Sequence, residues 1–194
     1  MCENSGLSIF LQGKKVVARP LELEDAPNCQ RWVNAPDIRI NILNQRPLSM
    51  TAEKSFITSL DGTITDFVLA ICLPDGKHIG NIGLHRISYS DRTAITGCII
   101  GDPEYRNKGY GHDAKMILLA HAFLTLNLRK INSAAKADNL ASLRFNEKCG
   151  HEVEGIRKAE HYVNGRYVDE VLTAVFREKW EPLWEAYCAD WKRS

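Results

Sequence analysis

Apolar and polar residues alternate from Val16 to Leu23, the period of a half-buried strand, and Asp25 behind it offers an N-cap for a helix through Arg31 and Trp32. Periodicity then breaks. Asn34 to Met50 contains Pro36, Pro47 and four Asn or Gln residues, which predicts a loop or broken helix before a helix from Thr51 to Leu60. Two β-rich runs, Phe67 to Leu73 and His78 to Ile87, flank the turn Pro74-Asp75-Gly76 and predict an antiparallel hairpin. A third strand, Thr93 to Ile100, follows the polar turn Ser88 to Arg92. From Gly109 to Leu128 the chain reads as a helix. Its apolar residues lie on almost every side after Met116, as in a helix covered on several faces. A strand from Ile131 to Ala137 and a helix from Asn139 to Lys148, ended by Gly150, complete a strand-helix-strand-helix order that argues for parallel pairing in this half.

The last pattern fixes a register. Asn164-Gly165 between Glu154 to Val163 and Arg166 to Phe176 predicts a two-residue type I′ turn. Val163 then faces Arg166, Tyr162 faces Tyr167, His161 faces Val168, and Glu160 faces Asp169. The expectation is two carboxylates opposite each other.

Composition narrows the class. A chain of 194 residues with 44% hydrophobic and 25% charged residues predicts one soluble α/β domain over 1–194, with an N-terminal extension over 1–13 and a C-terminal helix over 181–194. The net charge of +1 gives no overall field toward nucleic acid or acidic lipid. Leu7 to Leu11 is too short for a signal sequence and no apolar run reaches membrane-spanning length, so a cytoplasmic protein that engages no membrane is expected. Six dispersed cysteines without a CxxC pair suggest reduced thiols. His112 and His121 are nine apart rather than four, and no metal is expected. Trp184, Tyr187 and Trp191 form a helical stripe for the protein's own core or for a partner such as a second copy.

The candidate chemistry starts at Arg106-Asn107-Lys108-Gly109-Tyr110-Gly111, between a strand and the long apolar helix. A helix N-terminus presents unpaired N–H groups, and Gly109 and Gly111 let the backbone approach a pyrophosphate. Arg106 and Lys108 add positive charge, while Asn107 tolerates left-handed conformations. As a bare pattern the motif is weak. Gly109 to Ala114 also satisfies a dinucleotide fingerprint, but there the strand runs straight into the glycine turn, whereas Asp102 to Lys108 intervenes in this chain. A P-loop is excluded by the lack of a GK[ST] sequence.

Taken in order, Arg19-Pro20-Leu21 with Glu24-Asp25, the run Ile79 to Leu84, the run Ile100 to Gly111, Asn139-x-x-Ser142 with Glu147 to Gly150, and Asn164 to Asp169 resemble the GNAT acetyltransferase superfamily. The likeness is to its ribosomal-protein-alanine acetyltransferase branch and extends from Val16 to Trp180. It implies a mixed, strongly twisted sheet flanked by helices, with two central strands splayed apart to admit the pantetheine arm of acetyl-CoA. On this likeness Ile99, Ile100 and Gly101 contact the arm, Arg106, Asn107, Lys108, Gly109, Tyr110 and Gly111 the pyrophosphate, and Asn139 the cofactor beyond the second strand. Asn107 departs from a frequent glycine. Asn146 stands where many members carry a tyrosine that protonates the leaving thiolate.

Transfer to an amine needs a proton acceptor, because an amine of ordinary pKa is protonated at neutral pH. Glu160, with Asp169 raising its pKa from across the hairpin, is the first candidate, and an ordinary exposed strand carboxylate is its alternative. Ser142, carried over from the Asn-x-x-Ser block, is the candidate acid or else a helix-capping hydroxyl. His161 is a neighbouring proton shuttle or a solvated strand residue. A backbone N–H near Ile100 is a candidate oxyanion donor. The expected activity is direct acetyl transfer from acetyl-CoA to a primary amine. A protein N-terminal α-amine is preferred on the likeness, with a small amine (polyamine, amino sugar, antibiotic) or a non-catalytic acyl-CoA-binding role as alternatives.

Overall fold

A computed structural model describes residues 8–42 and 46–191. Cys2, Leu7, Asn44, Gln45 and the ends of the expected terminal segments lie outside the described residues. The strands are β1 (Leu11–Gln12), β2 (Val17–Pro20), β3 (Phe67–Cys72), β4 (His78–Ser88), β5 (Thr93–Ile100), β6 (Lys130–Lys136), β7 (Glu152–Val163) and β8 (Arg166–Phe176). The helices are α1 (Ala26–Asn34), α2 (Pro36–Arg39), α3 (Met50–Leu60), α4 (Tyr110–Ala120), α5 (Leu140–Lys148) and α6 (Arg177–Trp191). The sheet is mixed, in the order β1-β2-β3-β4-β5-β6-β8-β7. No helix among the described residues is long and apolar enough to cross a membrane.

The chain groups into two compact units, one holding the described residues up to His85 with Gly97–Leu118, the other Arg86–Thr96 with the described residues from Leu119. In the first, β2, β3 and β4 pair antiparallel, Val17 opposite Cys72 and Phe67 opposite Leu84. Among the described residues of the irregular stretch after α1 is the short helix α2, begun by Pro36 at a position where a missing N–H is harmless. Ser49 caps α3 by accepting from the Ala52 N–H at 3.2 Å. Immediately before α1, the buried Asp25 carboxylate receives a forked pair of bonds from Arg19, both 2.7 Å, and lies 3.1 Å from His78 Nδ1.

In the second unit β5 pairs parallel with β6 over Thr93–Ile95, opposite Lys130 to Asn132, while β6 runs against β8 from the Lys130–Phe176 pair to the Lys136–Glu170 pair. These β5–β6 pairs lie at the starts of both strands. α4 runs on through a wide π-type turn at His121–Thr125. Trp180 is fully buried against Phe123, and Trp184 and Tyr187 stack on it in sequence with ring centroids 5.3 and 5.1 Å apart. Tyr187 is buried as well, so the aromatic stripe of α6 docks on the protein's own core.

The final hairpin has Asn164 and Gly165 at φ 48° and 84°, as a type I′ turn requires, and its first three pairs follow the expected register. The fourth does not. Between His161↔Val168 and Arg157↔Glu170, three residues of β7 (Lys158, Ala159 and Glu160) face the single residue Asp169. Asp169 holds this bulge by accepting from the Ala159 N–H at 2.9 Å and Lys158 Nζ at 2.8 Å, which supports Ala159 in a left-handed conformation at φ 52°. The predicted opposition of Glu160 and Asp169 is thereby corrected.

Candidate functional site

In the first unit, the end of β5 leads into the loop through a capped turn. Asp102 accepts from the Glu104 N–H at 3.1 Å, and Pro103 begins a 3-10 turn that ends at Tyr105. Asn107 and Gly109 then take φ values of 59° and 87°. Left-handed residues in such a turn are what an anion nest of backbone N–H groups requires. The carbonyl of Gly109 accepts the N–H of Asp113 at 3.0 Å, so α4 starts here, and a helix start turns its first N–H groups outward. The positive end of the helix dipole adds to them. These residues fit a pyrophosphate without a side chain having to reach it.

Arg106 is engaged within the protein. Its guanidinium donates to the carbonyls of Ile100 (3.0 Å) and Gly101 (2.8 Å) and pairs with Asp37 of α2. It thereby fastens the end of β5 to the loop. The opposite sides of the same peptides agree, because the N–H groups of Gly101 and Asp102 both donate to the Ile79 carbonyl, at 2.9 and 3.3 Å. The Gly101 N–H is thus engaged within the protein, and Ile99 and Ile100 are left as the strand-end candidates for the arm. Gly101 has its own reason to be glycine: a Cβ there would fall 1.9 Å from Cδ2 of Trp32. Gly80 likewise lets β4 approach the Ile99 carbonyl, which a Cβ would meet at 2.2 Å.

Beside this frame lies a buried polar chain. His78 Nε2 contacts Asn81 Oδ1 at 2.8 Å, and Asn81 Nδ2 donates to Cys29 Sγ at 3.1 Å. Burial pushes the Cys29 thiol up to about 11, so it is no nucleophile at neutral pH. Glu53 of α3 is also buried, and desolvation raises its carboxyl above the ordinary value. It has no cationic partner among the described residues.

In the second unit, Asn139 is the N-cap of α5, and its Oδ1 accepts the N–H of Ser142 at 3.1 Å. The Asn-x-x-Ser spacing therefore brings these two predicted residues together at one helix start. Asn146 is buried and turned toward the sheet, with Nδ2 3.2 Å from Ser133 Oγ and 3.4 Å from Thr173 Oγ1. Glu160 is 42% exposed, its carboxylate 3.9 Å from Arg157. Asp169, bound by Lys158 and the Ala159 N–H, is held below the usual carboxylate range, opposite to the expected upward coupling.

The chain's acetyltransferase (GNAT) family match covers residues 15–152. The chain belongs to the GNAT acetyltransferase family. This GNAT N-acetyltransferase is 28% identical over 171 residues to the spermidine N(1)-acetyltransferase of Escherichia coli, covering 85% of this chain and 88% of that one. It is 31% identical over 180 residues to the Probable N-acetyltransferase YjcK of Bacillus subtilis, covering 86% and 96%. In fold it matches the crystal structure of spermidine N-acetyltransferase from Vibrio cholerae in complex with CoA and spermine, with a TM-score of 0.80, 24% identity, and coverage of 86% of this chain and 98% of that one.

The GNAT member's second unit also holds a pair that sequence reasoning missed. Glu170, 4% exposed, receives Arg157 Nη1 at 2.7 Å and lies 2.9 Å from His161 Nε2. In an unbulged register Glu170 sits one step from Asp169 and draws no notice. Two extra residues in β7 bring Arg157 opposite it, a shift that the residue pattern of the hairpin does not signal.

Proposed function

We propose that this GNAT N-acetyltransferase moves an acetyl group from acetyl-CoA directly to a primary amine of a small polyamine such as spermidine. The observation that carries the acceptor is the similarity to the E. coli spermidine N(1)-acetyltransferase along 85% of the chain. It favours the small amine over the protein N-terminus that the sequence blocks suggested. The nest at Asn107 to Gly111 supports the cofactor, with Lys108 and the leading N–H groups of α4 set against the pyrophosphate. Ile99 and Ile100 are assigned to the pantetheine arm, Asn139 to the cofactor beyond β6, and Glu53 supplies a desolvated carboxylate suited to an ammonium group.

For the proton acceptor, His161 held by Glu170 is favoured over Glu160. The buried Glu170 carboxylate, 2.9 Å from His161 Nε2, fixes the imidazole's orientation, whereas Glu160 is exposed on the bulge with Arg157 as its near neighbour. Ser142 remains the candidate donor to the thiolate. A leaving thiol of ordinary pKa near 8.5 needs only modest help, which accommodates Asn146 in place of a tyrosine.

The test is thiol release from acetyl-CoA with spermidine, spermine, an aminoglycoside and peptides that begin with alanine. Spermidine is expected to give the highest kcat/KM. Turnover confined to the peptides would overturn the polyamine acceptor. His161→Phe is expected to lower kcat by about 100-fold and flatten the alkaline rise of the pH–rate profile, with CoA affinity retained. If Glu160→Gln did this and His161→Phe did not, the assignment of the base would be reversed.

A further inference from the structure

Outside the loop itself, Lys15 lies against it. Its Nζ donates to the Lys108 carbonyl at 3.0 Å, stands 5.8 Å from the centroid of the Tyr110 ring, and would be 3.3 Å from a Cβ on Gly109. The peptide joining Lys108 to Gly109 is trans, so its C=O and N–H point in opposite directions. A carbonyl turned to Lys15 leaves the Gly109 N–H on the far side, among the groups that would meet an anion. We propose that Lys15, set in place by Asp113, is a positioning residue that holds the pyrophosphate loop in its anion-binding conformation. This rests on the acetyl-CoA reading above and adds residues that neither the motif nor the family blocks contain.

The placement of Lys15 is built, since the side chain hangs from an anchored backbone. Asp113, buried one turn into α4, accepts the N–H groups of Lys14 (3.2 Å), Lys15 (2.8 Å) and Val16 (3.0 Å). The turn before β2 is thereby tied to the same helix start that forms the loop. Gly13 makes the approach feasible, because a Cβ there would lie 2.4 Å from Asp113 Oδ2. The arrangement also resolves an electrostatic conflict: a carboxylate in the first turn of α4 competes with a phosphate for the positive helix end. Three N–H donors absorb the Asp113 charge on the side of the N-terminal turn. Lys15, carried by one of those three residues, then brings a positive charge to the rim of the loop.

The experiment uses the full chain with Lys15→Met, which keeps the apolar stem and loses the donor, and Lys15→Arg, which restores one. Kd for CoA and for 3′-dephospho-CoA is measured calorimetrically, together with KM and kcat for acetyl-CoA and thermal unfolding. Lys15→Met is expected to weaken both ligands about tenfold and to raise KM with kcat little changed, while Lys15→Arg recovers most of the loss, as for one charge-assisted hydrogen bond. Unchanged affinity in Lys15→Met would overturn the proposal. So would a loss confined to CoA, because that marks direct contact with the 3′-phosphate, or a fall in kcat and melting temperature that Lys15→Arg does not rescue. If the wild-type chain bound neither ligand, the acetyl-CoA reading itself would fail, an outcome separate from the others.

Discussion

Replacing Arg106 by lysine separates two roles that the sequence motif conflates. If the side chain neutralised a phosphate, lysine would preserve most of the effect, since the charge is retained. The guanidinium instead forks between the Ile100 and Gly101 carbonyls, 3.0 and 2.8 Å away, and reaches Asp37 with its remaining nitrogen. An ammonium on a flexible stem cannot span that set. Each carbonyl bond contributes about 1 kcal/mol net. The pair with Asp37, whose side chain is 53% exposed, adds at most about 1 kcal/mol after solvent screening. Of this total of about 2–3 kcal/mol, lysine retains roughly a third, so Arg106→Lys is expected to destabilise the protein by about 1–2 kcal/mol, or about 3–6 °C in Tm. Because the same peptides carry the strand end next to Ile99 and Ile100, Kd for CoA should rise about five- to twentyfold by calorimetry. Asp37→Asn should cause a smaller loss of the same kind. Wild-type affinity in Arg106→Lys, together with a large loss in Arg106→Met, would show that charge alone matters and would refute the clasp.

Two further perturbations address the frame behind the loop. Gly101→Ala forces a methyl group into the Trp32 ring, and either the tryptophan or the strand end must move; a loss of about 1–3 kcal/mol in urea unfolding is expected, and an unchanged midpoint would refute the contact. Asp25 tests the buried network through pH. Burial pushes its carboxyl up, but the bonds from Arg19, His78 and the Glu22 N–H outweigh this and hold it well below the usual range. A folded pKa below an unfolded one of about 3.9 means that the contribution is complete above about pH 5 and is lost as pH falls through that value and below. Asp25→Asn should therefore cost about 3–5 kcal/mol at pH 7, and the gap to wild type should narrow below pH 4; a constant gap between pH 7 and pH 3 would contradict the assignment.

The elements legible from sequence were those with a strong local cause. The type I′ turn at Asn164-Gly165 set three cross-strand pairs, the glycines and Asn107 set the nest, and the apolar surround of the helix after Gly109 set α4. The register failed at the first pair where a side chain competed with the ladder. Asp169 bonded the Ala159 N–H, and period-two counting has no means of foreseeing an inserted pair of residues. Arg106 shows the same limit from the other side. Its position in the motif was legible, yet its partners were backbone carbonyls five and six residues behind it and a carboxylate 69 residues earlier.

These misses share one physical origin and redistribute the roles in the candidate site. At Asp169, Arg106, Lys15 and Asp113 a side chain bonds backbone, and such bonds depend on where the chain has already been brought, so no residue spacing encodes them. One charge of the motif and two beside it consequently act on geometry: Arg106 fixes the strand end, Lys15 orients the Lys108 peptide, and Asp113 ties the turn that carries Lys15. What is left to meet a diphosphate is mainly N–H groups in a preset curve, supplemented by Lys108. A site of that kind gains affinity from preorganisation more than from added charge. Its affinity for CoA should therefore respond more steeply to loss of these clasps than to ionic strength, which screens exposed charges and leaves a fixed nest intact.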